Sequence, residues 1–306
     1  MSAGSGTRAI VAALAANAGI AVAKFVGFLI TGSSSMLAES VHSLADTSNQ
    51  GLLLLGKKRA SREATLEHPF GYGRDRYFYS FVVALLLFTL GAAFSLYEGV
   101  HKIAEPHPIE SPAVGLVILA VAAALEAFSF RTAIVESRPL KGSQSWWRFI
   151  HRSKEPELPV VLLEDFGALV GLLLALIGIG LAVITGDPVW DGIGTVAIGV
   201  LLGAIATILI LEMKSLLIGE GAAPVTLGEI TTALTGGPVQ RVIHIRTQYL
   251  SPDELLVAAK IALAPGMQLR DVAKAIDEAE LRVRTAVPAA RIIYLEPDLD
   301  RTPTAT

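Results

Sequence analysis

The sequence predicts a membrane protein, an all-α bundle of six transmembrane helices followed by a small cytoplasmic α+β domain. Of its 306 residues, 52% are hydrophobic and 17% are charged, whereas an average soluble domain is about 25% charged. Apolar runs of the length that crosses a bilayer, about 20 residues, recur until the composition becomes soluble after Lys214. We therefore divide the chain into a membrane domain, residues 1–213, and a C-terminal domain, residues 214–306.

Six apolar segments account for the membrane domain. We interpret the first as a membrane span, because we recognise no signal-peptide cleavage site after it. The segments are residues 10–31, 36–55, 78–100, 112–130, 158–185 and 190–211.

Loop charge predicts the orientation of these spans. Loops 56–77 and 131–157 each contain six Lys or Arg residues, and the connections 32–35, 103–111 and 186–189 contain none. Because basic loops stay in the cytoplasm, we expect a multi-pass protein with both termini cytoplasmic. Its composition, rich in Ala and Leu, favours a bacterial inner membrane.

Composition also excludes some classes of partner and site. The net charge of −3 gives no indication of nucleic-acid binding. The chain has no cysteine, so a metal would have to bind His, Asp, Glu or backbone oxygens.

The C-terminal domain shows alternating helical and strand patterns. They predict a helix at 226–235, strands at 239–249 and 255–263, a helix at 269–285 and a strand at 290–295. The order αββαβ is typical of a small two-layer, ferredoxin-like α+β domain.

The second span carries Glu39, His42 and Asp46 in the middle of an apolar run. Residues four apart lie on the same face of a helix, and ionisable groups at bilayer depth usually face the bundle interior. An imidazole and a carboxylate are ligands that Zn²⁺ accepts. The alternative is a polar contact that packs two helices together.

A second acidic pair, Glu164 and Asp165, lies at the beginning of the fifth span. We predict that the two clusters face each other and share one transported metal ion. The alternative for Asp165 is an acid that is favoured at a helix N-terminus by the helix dipole.

Several motifs resemble those of the cation diffusion facilitator family. They are His42-x-x-x-Asp46, the loop sequence HPFGYGR at residues 68–74, the six spans and the αββαβ domain. The segments WWRFI at 146–150 and PELPVVLLED at 156–165 look closer to its zinc-transporter-9-like branch.

The resemblance implies export of Zn²⁺ or a related divalent cation from the cytoplasm, driven by inward proton movement. It also implies a homodimer formed through the C-terminal domain and the bundle. The metal site would be tetrahedral, with His42 and Asp46 from the second helix and Asp165 from the fifth.

One position departs from the family pattern. Val161 stands where many members have His or Asp, and it cannot bind a metal. Glu164 is the nearest spare donor, about 100° of helix from Asp165, and Glu39 or a water are alternatives for the fourth place. Glu39 is also interpreted as an acid behind the ligands or a partner for Lys24. Additional oxygen ligands would favour harder ions such as Mn²⁺.

Two further candidate sites are incomplete. His68 resembles a cytoplasmic loop ligand of some members, but Tyr72 and Thr65 replace other ligands, so we expect at most a weak first binding position for incoming metal. The C-terminal domain has one histidine, His244, and we expect a dimerisation domain that does not depend on metal.

These observations predict a secondary transporter rather than an enzyme. Its substrate would be Zn²⁺, with Mn²⁺, Co²⁺, Fe²⁺ or Cd²⁺ as alternatives, and it would need no organic cofactor. Its partners would be the lipid bilayer, protons and a second copy of the chain. Three other functions stay open: a channel or sensor without proton coupling, a membrane-embedded metalloenzyme, and a regulatory scaffold.

Overall fold

The computed structural model describes residues 3–299, with side chains from Asn17 onward. These residues form two compact units. The first comprises residues up to Arg59 together with 75–214, and the second comprises residues 60–74 together with those from Ser215 onward.

The first unit is entirely helical. A π-helical segment, Leu87–Ala93, joins α3 and α4 into one continuous helix, Asp75–Ala104. The helices are α1 (Ala3–Thr31), α2 (Ser34–Ala60), α3 (Asp75–Leu86), α4 (Phe94–Ala104), α5 (Pro112–Lys141), α6 (Trp146–Arg152), α7 (Glu157–Thr185) and α8 (Val189–Ile218).

Four helices of the described chain are long and apolar enough to cross a membrane: Asp75–Ala104, α5, α7 and α8. A shorter apolar stretch, Asn17–Thr31, forms the end of α1. Helix α2 is not among the four, because it carries acids and a histidine in its middle and three basic residues in its last turn. Six spans therefore remain a prediction, of which four are supported.

Small residues allow these helices to approach closely. A Cβ atom on Gly99 of α4 would lie 2.7 Å from the backbone nitrogen of Val196 on α8, so only glycine fits there. The core between the helices is closely packed, with Leu172, Ile179 and Leu202 fully buried. This packing fixes the rotation of α7, which carries Glu164 and Asp165.

A buried carboxylate holds the beginning of α2. Asp191 of α8 accepts hydrogen bonds from the backbone nitrogens of Ser34 (2.8 Å) and Ser35 (3.3 Å) and from the Ser33 hydroxyl (2.9 Å). These N–H groups have no partner within their own helix. Asp191 thereby anchors the end of the helix that carries His42.

The second unit contains α9 (Pro224–Leu234), β1 (Val239–Ser251), β2 (Glu254–Leu263), α10 (Leu269–Ala286) and β3 (Ile292–Asp298). Its sheet has the order β1-β2-β3, with β1 and β2 antiparallel and β2 and β3 parallel. The αββαβ order predicted from the sequence is confirmed; the ferredoxin-like assignment stays a prediction.

Side chains along β2 alternate between two faces of the sheet, and one of these faces is covered by α9 and α10. Leu255, Val257 and Ile261 are fully buried and belong to one core with residues of α9 and α10. Their neighbours in the sequence point to the opposite face, because side chains alternate along a strand.

The loop 60–74 belongs to this second unit. A Cβ atom on Gly73 would lie 2.6 Å from Cβ of Ser251, so the loop backbone packs tightly against the end of β1. Within the loop, the Arg62 guanidinium lies 4.4 Å from the Tyr72 ring centroid, and the exposed His68 ring lies 4.6 Å from the same centroid. Tyr72 therefore organises the loop.

Candidate metal-transport site

Helix α2 places His42 and Asp46 beside each other, as their spacing predicted. The His42 Nδ1 atom lies 3.5 Å from Asp46 Oδ1. His42 is fully buried, and neither ring nitrogen has a hydrogen-bond partner among the described residues. Buried polar groups are nearly always satisfied, so this imidazole is suited to bind something that a protein side chain does not supply.

Helix α7 points Glu164 and Asp165 in different directions. Glu164 Oε1 accepts a hydrogen bond of 2.7 Å from the Asn49 amide on α2. Asp165 Oδ2 accepts one of 3.0 Å from the Ser129 hydroxyl on α5. Consecutive residues diverge by about 100° on a helix, so one acid faces α2 and the other faces α5.

The two acidic clusters meet. The Asp46 and Glu164 carboxyl groups lie near enough to interact directly, and a hydrogen bond between two carboxyl groups would require one of them to carry a proton. Asp46 Oδ1 remains buried without a hydrogen-bond partner among the described residues. Asp46 is therefore shared between His42 on one side and Glu164 on the other.

A small polar cavity lies at this junction. It is bordered by four helices, and Asp46, Glu164 and Asp165 all line it. His42 is not among its lining residues and meets it through Asp46. The remaining lining residues are Asn17, Ile20, Ser43, Gln50, Glu126 and Ser129.

Within the described chain, no three His, Asp or Glu side chains are close enough together to hold a metal ion. Glu164 instead accepts a hydrogen bond from Asn49, and Asp165 accepts one from Ser129. Joint binding of an ion by His42, Asp46 and Asp165 therefore requires side-chain rotation.

Val161 of α7 contacts two clusters of apolar residues. It is partly buried and packs against the main core of the bundle and against a smaller cluster that contains Ala133, Phe149 and Leu162. The departure from the family pattern at this position therefore coincides with apolar packing.

Glu39 is fully buried, and its Oε2 atom lies 3.0 Å from Lys24 Nζ. Its other oxygen lies close to Gly171, where a Cβ atom would be only 2.6 Å away. Glu39 does not line the cavity, and the interpretation as a partner of Lys24 is the one that its contacts match. His68 lies in the second unit and is not among the residues gathered at the cavity.

Sequence reasoning missed Glu126, Ser129 and Asn49. Glu126 was detectable, because it is the only charged residue in the apolar segment 112–130. Ser129 and Asn49 gave no signal, since neutral polar residues are common in membrane helices and their partners lie far away in the sequence.

Residues 10–218 match the model of the cation efflux transmembrane domain. The chain belongs to the cation diffusion facilitator family. The resemblance predicted from its motifs is thereby confirmed.

Relatives within this family agree with the predicted branch. The chain is 36% identical over 224 residues, 72% of its length, to the human "Proton-coupled zinc antiporter SLC30A9, mitochondrial", and covers 39% of that protein. It is 28% identical over 257 residues to "Metal tolerance protein C4" of Arabidopsis thaliana, covering 83% of this chain and 56% of the relative. It is 24% identical over 272 residues to "Magnetosome protein MamB" of Magnetospirillum gryphiswaldense, covering 87% of this chain and 85% of that relative. The chain thus spans about two fifths of the length of the SLC30A9 proteins.

Proposed function

We propose that this family member exports a divalent metal cation, Zn²⁺ first, in exchange for protons. The observation that carries the proposal is the cavity at which Asp46, Glu164 and Asp165 meet, inside a cation efflux domain and beside the unsatisfied His42. The names of its relatives, a proton-coupled zinc antiporter and a metal tolerance protein, support the choice of substrate and of coupling.

In this proposal His42, Asp46 and Asp165 bind the cation. A neutral imidazole supplies a nitrogen ligand, and the carboxylates neutralise the dication. Glu164 lies next to Asp46 as the acid that shares its proton. Glu39 balances the charge of Lys24 and does not contact the ion. His68 stays a prediction, as a weak binding position for incoming metal in the loop 60–74.

Proton exchange would follow from the same contacts. A dication that enters between Asp46 and Glu164 displaces the proton that they share, and a protonated His42 cannot bind metal. Metal and protons therefore compete for one set of groups, which is what an exchanger requires. Alternating exposure of such a site through rocking of helices is common among secondary transporters.

The remaining parts of the proposal concern organisation. Residues 1–213 form the transport domain, and residues 214–306 form a cytoplasmic domain through which two copies pair. Both termini lie in the cytoplasm, in a bacterial inner membrane. The chain needs no organic cofactor and catalyses no covalent reaction.

Uptake into proteoliposomes tests this function. Zn²⁺, Mn²⁺, Co²⁺ and Fe²⁺ are compared with and without an imposed pH gradient, on the wild type and on Asp46→Asn and Asp165→Asn. We expect saturable Zn²⁺ flux that rises with a gradient of the correct direction and is lost in both variants. Flux indifferent to the gradient would instead identify a channel. Full flux in both variants would overturn the site.

A further inference from the structure

Glu126 on α5 lines the same cavity as Asp46, Glu164 and Asp165. It is half-buried, and Ser129, one helical turn later, also lines the cavity and donates a hydrogen bond to Asp165. Residues three apart lie on one helix face, so this face of α5 is turned toward the acids of α7. The cavity thus has an acid from a third helix, in addition to those of α2 and α7.

The charge of Glu126 acts on the whole cluster. It interacts electrostatically with Glu39, Asp46, Glu164 and Asp165, and among the described residues Lys24 is the cation that offsets it. Carboxylates gathered at one site cannot all ionise without a compensating charge. Protons or a dication would supply that charge.

A second observation, independent of the number of acids, points to a ligand. His42 is fully buried with both ring nitrogens unsatisfied, and the buried Asp46 Oδ1 beside it also lacks a hydrogen-bond partner in the described chain. Leaving such groups unsatisfied in the interior is unfavourable. A cation that binds at this edge of the cavity would satisfy them.

Position 161 contributes nothing to such a site, because Val161 packs against apolar clusters. Glu164 is held by Asn49 and by Asp46. Glu126, in contrast, has no hydrogen bond to a described residue that would have to break, and its long side chain can turn toward the ion.

We propose that Glu126 supplies a metal-contacting carboxylate from α5, so that α2, α5 and α7 hold the transported cation together. This inference rests on the proposed function and names a further ligand for its substrate. The resulting set is one imidazole and three carboxylates, which is richer in oxygen than a site with two histidines. Such a set discriminates less strongly against harder ions such as Mn²⁺.

Isothermal titration of the full chain in detergent tests the proposal with Zn²⁺ and Mn²⁺. The variants are Glu126→Gln, Glu126→Asp, Asp165→Asn and the matched control Glu136→Gln, which changes an exposed acid on the same helix. We expect Glu126→Gln to weaken Zn²⁺ binding more than about 100-fold, beyond the range of about 10–100-fold that groups behind the ligands usually contribute. Glu136→Gln should bind as the wild type does.

A spectroscopic measurement separates a ligand from a merely structural residue. The visible absorption of bound Co²⁺ depends on its ligands, so Glu126→Asp and Glu126→His should both change the spectrum, the second by adding a nitrogen ligand. If Glu126→Gln does not fold, the Co²⁺ spectra of Glu126→Asp and Glu126→His test the proposal instead. An unchanged spectrum in both, or wild-type affinity in Glu126→Gln, overturns the inference. Loss of binding in Asp165→Asn alone would then leave the proposed function intact, whereas wild-type binding in Asp165→Asn would overturn the function itself.

Discussion

Lys24 on α1 and Glu39 on α2 form an ion pair in which both side chains are completely buried, with 3.0 Å between Nζ and Oε2. Lys24 also donates a hydrogen bond of 2.7 Å to the Ser43 hydroxyl. Because Ser43 follows His42 directly and lines the cavity, this pair joins α1 to the part of α2 that carries the candidate ligands.

We therefore predict that replacing one member of the pair destabilises the protein more than replacing both members. Lys24→Met should lower the free energy of unfolding by about 3–5 kcal/mol, since it leaves an uncompensated buried charge. The double variant Lys24→Met with Glu39→Leu should recover most of that loss. Denaturant unfolding of the solubilised protein measures both, with the exposed Lys57→Met as control. A double variant less stable than Lys24→Met would contradict the prediction.

The contact between Asp191 and the beginning of α2 leads to a second prediction. Asp191→Ala should destabilise the protein by about 1–3 kcal/mol, because it leaves buried N–H groups of Ser34 and Ser35 unsatisfied. It should also lower the transport rate, since α2 carries His42 and Asp46. Unfolding and uptake are compared with the exposed control Glu105→Gln. Equal stability in Asp191→Ala and the control would show that the contact does not stabilise the protein.

Some features of the fold and of the candidate site can be predicted from local sequence patterns. Polar residues in apolar runs predicted Asp46 and Asp165 as candidate ligands, because burying charge without purpose is too costly in a membrane. Alternation revealed the strands of the second unit, whose observed bounds agree closely with the prediction. Both features are local patterns that a single segment displays.

Features that depend on distant partners were not predictable. Asp191 caps a helix whose first residue, Ser34, lies 157 positions earlier, and nothing near Asp191 in the sequence signals this role. The position of Glu126 beside the acids of α7 depends on the packing of α5 against α7, which no local sequence pattern predicts. The orientation of Val161 depends on two apolar clusters built from several helices. The polarity of α2 likewise leaves it outside the four helices that are apolar enough to cross a membrane.

The packing of Val161 makes a third prediction possible. Val161→His should place an imidazole against the apolar clusters, so we expect lower stability and no gain in Zn²⁺ preference over Mn²⁺. Titration of both ions, with unfolding in parallel, checks this, and Val161→Leu is the size-matched apolar control. A clear shift toward Zn²⁺ would mean that position 161 does face the ion.

In the second unit, Lys260 bridges two acids of β3. Its Nζ lies 2.8 Å from Glu296 Oε1 and 3.2 Å from Asp298 Oδ2. Hydrogen bonds to Glu296 and Asp298 raise the pKa of Lys260 above its usual 10.5. A group whose pKa is raised by folding contributes its stability below the unfolded pKa and loses it as pH rises through the folded value.

We therefore expect a small loss of stability above about pH 10.5, the usual pKa of lysine, that is absent in Lys260→Met. Because the lysine side chain is only partly buried, high salt should weaken the effect. Thermal unfolding between pH 9 and 12 in low and high salt measures it, with the exposed Lys274→Met as control. Identical pH profiles for Lys260→Met and the wild type would contradict this expectation.

The last prediction concerns the proton that, in the proposed function, Asp46 and Glu164 share. In Glu164→Gln the amide oxygen can still accept the hydrogen bond from Asn49, but the carboxyl that shares the proton is gone. If Glu164 stands beside the ligands and does not bind the ion, Zn²⁺ affinity should fall by no more than about 10–100-fold. Proton coupling should suffer more, so that uptake responds less steeply to an imposed pH gradient.

Uptake at several gradients, normalised to flux without a gradient, separates these two effects. Asn49→Ala is the matched control, because it removes the other partner of Glu164 and keeps its carboxyl group. It should leave the response to the gradient largely intact. A loss of affinity in Glu164→Gln as severe as in Asp165→Asn would instead make Glu164 a direct ligand. A wild-type response of Glu164→Gln to the pH gradient would mean that proton exchange does not depend on Asp46 and Glu164.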